Sequence, residues 1–377
     1  MKLTPVRAGL LVAALLLTLA LSSARRDVTP PEVYSEVEAR VPAAAPFELF
    51  LSANEPVTYR LSYGELELEQ VSQDLTVSLL ALAGSHEISV VASDAAGNAT
   101  SLTHEVQGVP AAVPVLEVPA AVGAGEPFTV VTRWNDSGAA LTESVLSVPS
   151  AHGTSLHGRN SITFLSVAPL GSADSLWPVE ARLVDEFGRV TAATAELRIV
   201  ASRNPVEELN VAASTLSVIT PAGRELEREA FELAFAESLP IPQWSKEFVL
   251  PIEGRSTSGF GFPRRYAPGG PVSYHEGSDI GAPTGTPILA TNAGLVRIAE
   301  FFPIKGGLTI IDHGAGVSSL YFHQSTILVE AGEAVAAGQV IGEVGSTGLS
   351  TGPHLHWEMR VAGVPSNPMA WVGRLWP

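Results

Sequence analysis

The chain has 377 residues, 46% apolar and 16% charged, so it is long enough for two to four packed domains. It contains no cysteine, which excludes disulfide bonds, thiolate metal sites, cysteine nucleophiles and a lipid anchor on an acylated cysteine. The net charge is −17, and −15 of it lies in the first 238 residues, since 8 Lys/Arg nearly balance 10 Asp/Glu from residue 239 onward. Such acidity argues against nucleic acid as a partner.

The first 24 residues have the layout of an export signal. Lys2 and Arg7 precede an apolar run from Ala8 to Leu21, and small residues follow up to Ala24. This pattern predicts a secretory signal peptide, and an uncleaved membrane anchor is the alternative. In both cases we expect the rest of the chain to lie in the cell envelope, in the periplasm or outside the cell, with the membrane a partner only through this segment.

Residues 25–45 contain several prolines and predict a spacer, and short alternating segments then predict β-sandwich modules. Asp94 and Asp185 each begin a related turn, with Gly three positions later and Thr six positions later. The first turn is similar to a hairpin of bacterial immunoglobulin-like domains. The distance between the two turns suits one sandwich per repeat. We therefore predict Ig-like modules at 46–108 and 109–200.

Residues 201–247 predict a connector that contains a helix. Thr220 suits the N-cap and Pro221 the first helical position, and apolar residues at helical spacing follow, so the helix is predicted over 221–237. A brace for the next domain is the simpler interpretation, and a regulatory arm over the active site is the alternative.

The C-terminal domain, predicted at 248–377, contains five of the nine histidines, all between 275 and 356. Glycine-rich turns join its short β-like segments, which predicts an antiparallel β domain. The predicted strands are 287–290, 294–302, 307–312, 317–323, 340–344 and 355–361.

Side-chain alternation places several polar groups together. In the last strand His354, His356 and Glu358 share one face, and in an earlier strand Tyr321 and His323 share a face. Two imidazoles and one carboxylate form a catalytic zinc set that leaves a position for water, whose pKa the metal lowers toward ~7. Further histidines beside the metal can transfer protons.

Two motifs resemble the signatures of the lysostaphin/LytM-type zinc metallopeptidases: His275-x-x-x-Asp279 and the segment from Ser350 to Trp357. Four segments between them are similar to family segments in the family order: 285–288, 311–314, 320–323 and 338–342. The resemblance covers about residues 245–372. It implies a β-rich fold called the duplicated hybrid motif, one zinc ion and cleavage of peptide bonds in peptidoglycan.

The resemblance also implies residue roles. His275, Asp279 and His356 correspond to the zinc ligands, and His323 and His354 to the catalytic histidines. Upstream, residues 259–266 are similar to another family segment, in which Arg264 and Tyr266 are candidates for contacts with the substrate or the transition state. A structural hydrogen-bonding role is the alternative for Arg264.

Three other polar residues receive simpler interpretations: His313 is a structural histidine, Glu358 supports the site from behind, and Glu276 is not a general base. A zinc metalloendopeptidase acting on peptidoglycan is the preferred function. The alternatives are a non-catalytic envelope module that binds peptidoglycan or activates another hydrolase, and a zinc protease of envelope proteins. The sequence does not specify the bond that is cut, the role of the Ig-like modules or the oligomeric state.

Overall fold

The computed structural model describes residues 27–149, 151–208, 216–236, 238–265 and 269–377. The predicted signal segment, 1–24, and Tyr266 lie outside them. The described chain is mainly β-strand, as predicted. It divides into two compact units: the described residues up to Ala112 with the short segments 136–140 and 185–189, and the described remainder, which contains the second module, the connector and the C-terminal domain.

The first module is one six-stranded sheet in the order β1-β3-β5-β6-β2, with β4 paired to β3. Its strands are β1 (Val33–Val37), β2 (Arg40–Pro42), β3 (Pro46–Tyr63), β4 (Leu66–Leu80), β5 (Gly84–Ser93) and β6 (Ala99–Val109). Alternate residues of β3 point into an apolar core that the sheet encloses. β1 and β2 lie within the predicted spacer, residues 25–45. β1 pairs with β3 and β2 pairs with β6, so neither strand belongs to a local hairpin.

The second module has two four-stranded sheets, in the orders β10-β13-β14-β8 and β11-β12-β9-β7, that share one apolar core. Its strands are β7 (Pro114–Glu117), β8 (Ala121–Gly123), β9 (Pro127–Trp134), β10 (Leu141–Ser147), β11 (Gly153–Gly158), β12 (Ser161–Val167), β13 (Ser175–Asp185) and β14 (Val190–Val200). This is a β-sandwich, and its assignment as Ig-like stays a prediction.

The two related turns of the sequence have the same local structure. The Asp94 carboxylate accepts hydrogen bonds from the backbone N–H of Ala96 and Asn98, both at 2.8 Å. Asp185 accepts from the corresponding N–H groups of Phe187 and Arg189, both at 3.0 Å. The glycine of each turn has a positive φ, which glycine adopts without steric cost. The repeat therefore encodes a recurring hairpin turn.

The connector contributes β15 (Glu207–Glu208) and α1 (Pro221–Ala236). The Thr220 hydroxyl accepts a 3.0 Å hydrogen bond from the N–H of Gly223, so Thr220 caps the helix as predicted. Trp244, near the end of the predicted connector, lies in the apolar core of the C-terminal domain. Among the described residues no helix is long and apolar enough to span a membrane.

The C-terminal domain is built on an eight-stranded antiparallel sheet in the order β16-β19-β27-β23-β22-β21-β25, with β28 paired to β27, and on small three-stranded sheets. Its strands are β16 (Arg255–Ser258), β17 (Pro263–Arg265), β18 (Ser273–Tyr274), β19 (Ser278–Gly281), β20 (Pro287–Leu289), β21 (Gly294–Phe302), β22 (Gly306–Gly314), β23 (Val317–Gln324), β24 (Thr326–Ile327), β25 (Ala334–Val335), β26 (Val340–Glu343), β27 (His354–Val361) and β28 (Val364–Ser366). A 3₁₀ turn follows at Pro368–Ala370. The predicted antiparallel β domain is confirmed.

Candidate metal centre and active site

Three predicted ligand atoms converge at one point of the large sheet. β19 and β27 are antiparallel neighbours, and their register places Asp279 opposite His356. His275 lies just before β19, and its Nε2 is 3.0 Å from both Asp279 Oδ1 and His356 Nδ1. The remaining pair, His356 Nδ1 and Asp279 Oδ1, is 2.7 Å apart. The structure thus brings together the three residues that the resemblance implies as zinc ligands.

Gly277 allows this close approach. A Cβ atom at this position would lie 2.8 Å from ring atoms of His356 and 2.6 Å from the carbonyl oxygen of Trp357. Because those atoms leave no room for a side chain, the loop that carries His275 can lie directly against β27 only with glycine at position 277.

The second nitrogen of each imidazole has a fixed acceptor. His275 Nδ1 donates to the carbonyl oxygen of Gly259 at 2.7 Å, and His356 Nε2 donates to the carboxylate of Glu358 at 3.1 Å. In the neutral tautomers that these bonds select, the nitrogens that face Asp279 carry lone pairs. Three acceptors within 3.0 Å of one another repel unless a cation lies between them, so the donor set fits a metal ion.

Glu358, next to the cluster, forms a buried ion pair with Arg360. Burial opposes the charge of Glu358, while Arg360 holds the pKa of Glu358 well below its usual value. Arg360 in turn donates to Glu276 at 2.7 Å. Glu358 therefore supports the site through His356, as interpreted from the sequence.

The two remaining predicted histidines lie beside the cluster. The ring centroids of His323 and His354 are 4.9 Å apart, and His354 Nε2 is 3.8 Å from Asp279 Oδ1. Their Nδ1 atoms donate to the carbonyl oxygens of Thr347 and Gly352, both at 2.8 Å, so Nε2 is the nitrogen of each ring that can accept a proton. Burial, with the nearby His356 and His354, lowers the pKa of His323 to about 3.

The predicted shared face of Tyr321 and His323 is wrong. Tyr321 is fully buried in the core, opposite Trp357, whereas the neighbouring Phe322 lies against the ring of His356 at 5.0 Å between centroids. His323 has a φ of 61°, in the left-handed region, which breaks the strand alternation. The imidazole therefore points to the same side as Phe322, toward the metal cluster.

Arg264 lies next to the cluster, with a guanidinium nitrogen 3.7 Å from the second carboxylate oxygen of Asp279. It also donates to Ser258, and its Nε is 3.6 Å from the carboxylate of Glu207 in the connector. Arg264 thus lines the groove while also contacting a ligand, which fits both of its sequence interpretations.

A groove of about 370 Å³ runs over the cluster and the two further histidines. Its walls include Tyr274, Lys305 and Ser350, which sequence reasoning did not single out. His275, Asp279 and His356 line the same groove.

Residues 273–368 match the sequence model of Peptidase family M23. The C-terminal domain is a family M23 peptidase domain. It is similar to the peptidoglycan DD-endopeptidase ShyA of Vibrio cholerae, with 43% identity over 98 residues, or 26% of this chain and 23% of ShyA. It is also similar to the DD-carboxypeptidase/endopeptidase Mpg of Neisseria meningitidis, with 45% identity over 96 residues, or 26% of this chain and 22% of Mpg.

The chain therefore matches less than a quarter of the length of these two relatives. Among solved structures, the catalytic domain of lysostaphin from Staphylococcus simulans has 32% identity, covering 31% of this chain and 90% of the domain, with a TM-score of 0.28. The M23 match contains all five histidine and aspartate positions of the candidate site, while Arg264 and Tyr266 lie before it.

His313 and the histidines of the N-terminal modules take no part in the site. His313 is fully buried, with Nδ1 donating to the Ala293 carbonyl and Nε2 2.7 Å from the Ser319 hydroxyl. Within the described ranges, no other group of residues that could hold a metal ion contains a histidine. His313 is thus a satisfied core histidine, as interpreted from the sequence.

Proposed function

We propose that the protein is a zinc metalloendopeptidase of the cell envelope that hydrolyses peptide bonds of peptidoglycan. The observation that carries the proposal is the convergence of His275 Nε2, Asp279 Oδ1 and His356 Nδ1 beside two free proton-accepting imidazole nitrogens. ShyA supports the substrate class, because it is named as a peptidoglycan DD-endopeptidase, and Mpg supports peptidase activity, because it is named as a DD-carboxypeptidase/endopeptidase.

Two imidazoles and one carboxylate suit zinc better than magnesium or calcium, which prefer oxygen ligands. His275, Asp279 and His356 would hold the ion. A bound zinc ion would act as a Lewis acid on the scissile carbonyl and raise the acidity of water.

The remaining chemistry belongs to the side chains. His354 and His323 can each take a proton at Nε2 and return it to the leaving amine, because their Nδ1–H groups are held by backbone carbonyls. Gly259 and Glu358 orient the ligand imidazoles. Arg264 offers a cation at the rim for a substrate carbonyl or carboxylate, and Tyr266 is proposed for the same purpose from the resemblance alone.

Digestion of purified peptidoglycan tests the proposal. The zinc-loaded protein should release fragments whose masses show cleaved peptide bonds, and a chelator should stop the reaction until zinc is restored. His275→Ala serves as the inactive control. Intact peptides after prolonged incubation with the zinc-loaded protein would favour the binding-module alternative. Cleavage of envelope proteins with intact peptidoglycan would favour the third function.

A further inference from the structure

Helix α1 packs directly on the sheet of the peptidase domain, although it lies outside the residues matched to the M23 family. Its residues Ala230, Phe231, Ala234 and Phe235 share an apolar cluster with the outer face of the sheet. That cluster includes Phe322, whose ring lies against His356. The apolar cluster that contains the helix residues thus extends to a side chain in contact with His356.

Glu227 is the buried acidic residue of this helix, with 6% of its surface exposed. One carboxylate oxygen, Oε1, accepts hydrogen bonds from the backbone N–H of Ile304 at 2.7 Å and of Lys305 at 2.9 Å. A charged acceptor for two N–H groups is a strong anchor. Glu227 therefore holds the turn between β21 and β22, here called the 303–306 turn.

The carbonyl groups of the same two residues accept hydrogen bonds from segments that carry the candidate catalytic histidines. The oxygen of Lys305 accepts from the N–H of His323 at 3.0 Å. The oxygen of Ile304 accepts from the N–H of Leu349 at 2.7 Å, within the loop between β26 and β27 that leads to His354. Ile304 and Lys305 thus each bind Glu227 through the N–H group and a segment of the candidate active site through the carbonyl group.

Close packing also links the turn to the surroundings of His323. A Cβ atom on Gly306 would overlap Thr347, and one on Gly348 would overlap the backbone of Gly306. Thr347 also supplies the carbonyl that fixes His323 Nδ1. Because His323 has a positive φ, its direction depends on these surrounding contacts rather than on strand geometry.

We propose that Glu227 is a positioning residue of the peptidase site, which sets the directions of His323 and His354 through the 303–306 turn. The connector helix is then a required part of the active site. The proposal rests on the proposed function for its rate measurements, but its structural measurement is independent of that function.

Substitutions of Glu227 in the full-length, zinc-loaded protein separate the proposal from a general effect on folding. Glu227→Gln keeps the Oε1 acceptor and removes the charge, whereas Glu227→Ala removes the acceptor. Glu229→Ala is the matched control, because Glu229 is an exposed residue of the same helix. We expect Glu227→Ala to lower kcat by up to about 10²-fold with little change in KM, and the other two variants to stay near wild type.

Amide hydrogen exchange supplies the independent readout. In Glu227→Ala the N–H groups of His323 and Leu349 should exchange faster than in wild type, while those in the core of β22 are unchanged. If Glu227→Ala does not fold, Glu227→Asp replaces it, since a side chain shorter by one methylene withdraws the acceptor but keeps the charge. Unchanged exchange at His323 and Leu349 in a folded variant overturns the proposal, whether or not peptidoglycan is the substrate.

A double-mutant cycle provides a second test of whether Glu227 acts through His323. If Glu227 acts through His323, Glu227→Ala added to His323→Ala should lower the rate far less than it does in wild type. Full multiplication of the two effects, or an equal loss in Glu227→Gln, would contradict positioning through this turn. Loss of zinc in Glu227→Ala would also contradict it, because the turn does not hold a ligand.

Discussion

The proposed metal ligands and the two proposed catalytic histidines are adjacent in the site but are held in different ways. Asp279 and His356 are opposite residues of neighbouring antiparallel strands, and His275 follows from a short loop that Gly277 keeps close. His323 instead has a left-handed conformation one residue before the end of its strand, and it depends on a turn and a loop for its direction. The ligands thus depend on sheet register, and the catalytic pair on contacts from outside the sheet.

This difference predicts that the two groups respond differently to substitution. Removal of a ligand destroys the convergence of the three acceptors. Removal of a catalytic histidine leaves that convergence intact but removes a proton acceptor.

The largest expected effect is at a ligand. His356→Ala should lose the bound zinc and reduce peptidase activity by more than about 10⁴-fold, because it removes the metal as well as the groups that depend on it. Metal content and peptidoglycan digestion measure the two losses. His157→Ala, at an exposed histidine of the second module, is the control and should keep both. Full zinc content in His356→Ala would exclude it as a ligand.

The next effect is at the catalytic pair. His323→Ala and His354→Ala should each keep the zinc and lower kcat by about 10²–10⁴-fold, the contribution of a general acid–base group. The same metal analysis and rate measurement apply. If His354→Ala lost zinc as completely as His356→Ala, the two histidines of the motif would have been assigned in the wrong order.

The same contrast explains what could be predicted from the sequence. The strand that carries His356 follows from alternation, and α1 follows from its N-cap and apolar spacing, whereas β19, which carries Asp279, is not among the predicted strands. The direction of His323 could not be predicted, since alternation assigns it to the face of Tyr321 and only surrounding contacts impose the positive φ. The sequence does not distinguish Glu227 from the other glutamates of its helix, because the burial of Glu227 depends on contacts with the distant 303–306 turn.

The N-terminal modules show the same limit. The hairpins at Asp94 and Asp185 could be predicted, because each turn is stabilised within five residues. The strands in residues 33–42 could not, because prolines flank them and their partners β3 and β6 lie far along the chain. Local patterns therefore predict turns and strands better than they predict which strands pair.

A smaller effect, on zinc affinity, is expected at Glu358, the hydrogen-bond partner of His356. Glu358→Gln replaces the carboxylate that accepts hydrogen bonds from His356 and Arg360 with an amide, so the His356 ring is less firmly oriented. We expect zinc affinity to fall by about 10–100-fold, as for other partners of metal ligands. Competition with a chromophoric chelator measures this affinity. Glu276→Gln is the comparison: it also removes a partner of Arg360, but its side chain is 47% exposed and does not contact a ligand. Equal losses in the two variants would contradict the orienting role.

The smallest effect on catalysis is expected at His313, the buried histidine outside the site. Burial outweighs the nearby Asp312 and lowers the pKa of His313 to about 4. The unfolded chain, with a pKa near 6.5, therefore binds more protons between pH 6.5 and 4, so this residue makes the free energy of unfolding rise with pH in that window. The contribution approaches about 3 kcal/mol of stability lost by pH 4.

His313→Asn tests this pH dependence, because it keeps a donor for the Ala293 carbonyl but does not titrate. Urea unfolding of the zinc-loaded proteins from pH 7 to 4.5 should show a shallower loss of stability in His313→Asn, with peptidase activity at pH 7 close to wild type. Parallel stability curves would show that His313 is not the buried neutral histidine that its two hydrogen bonds indicate.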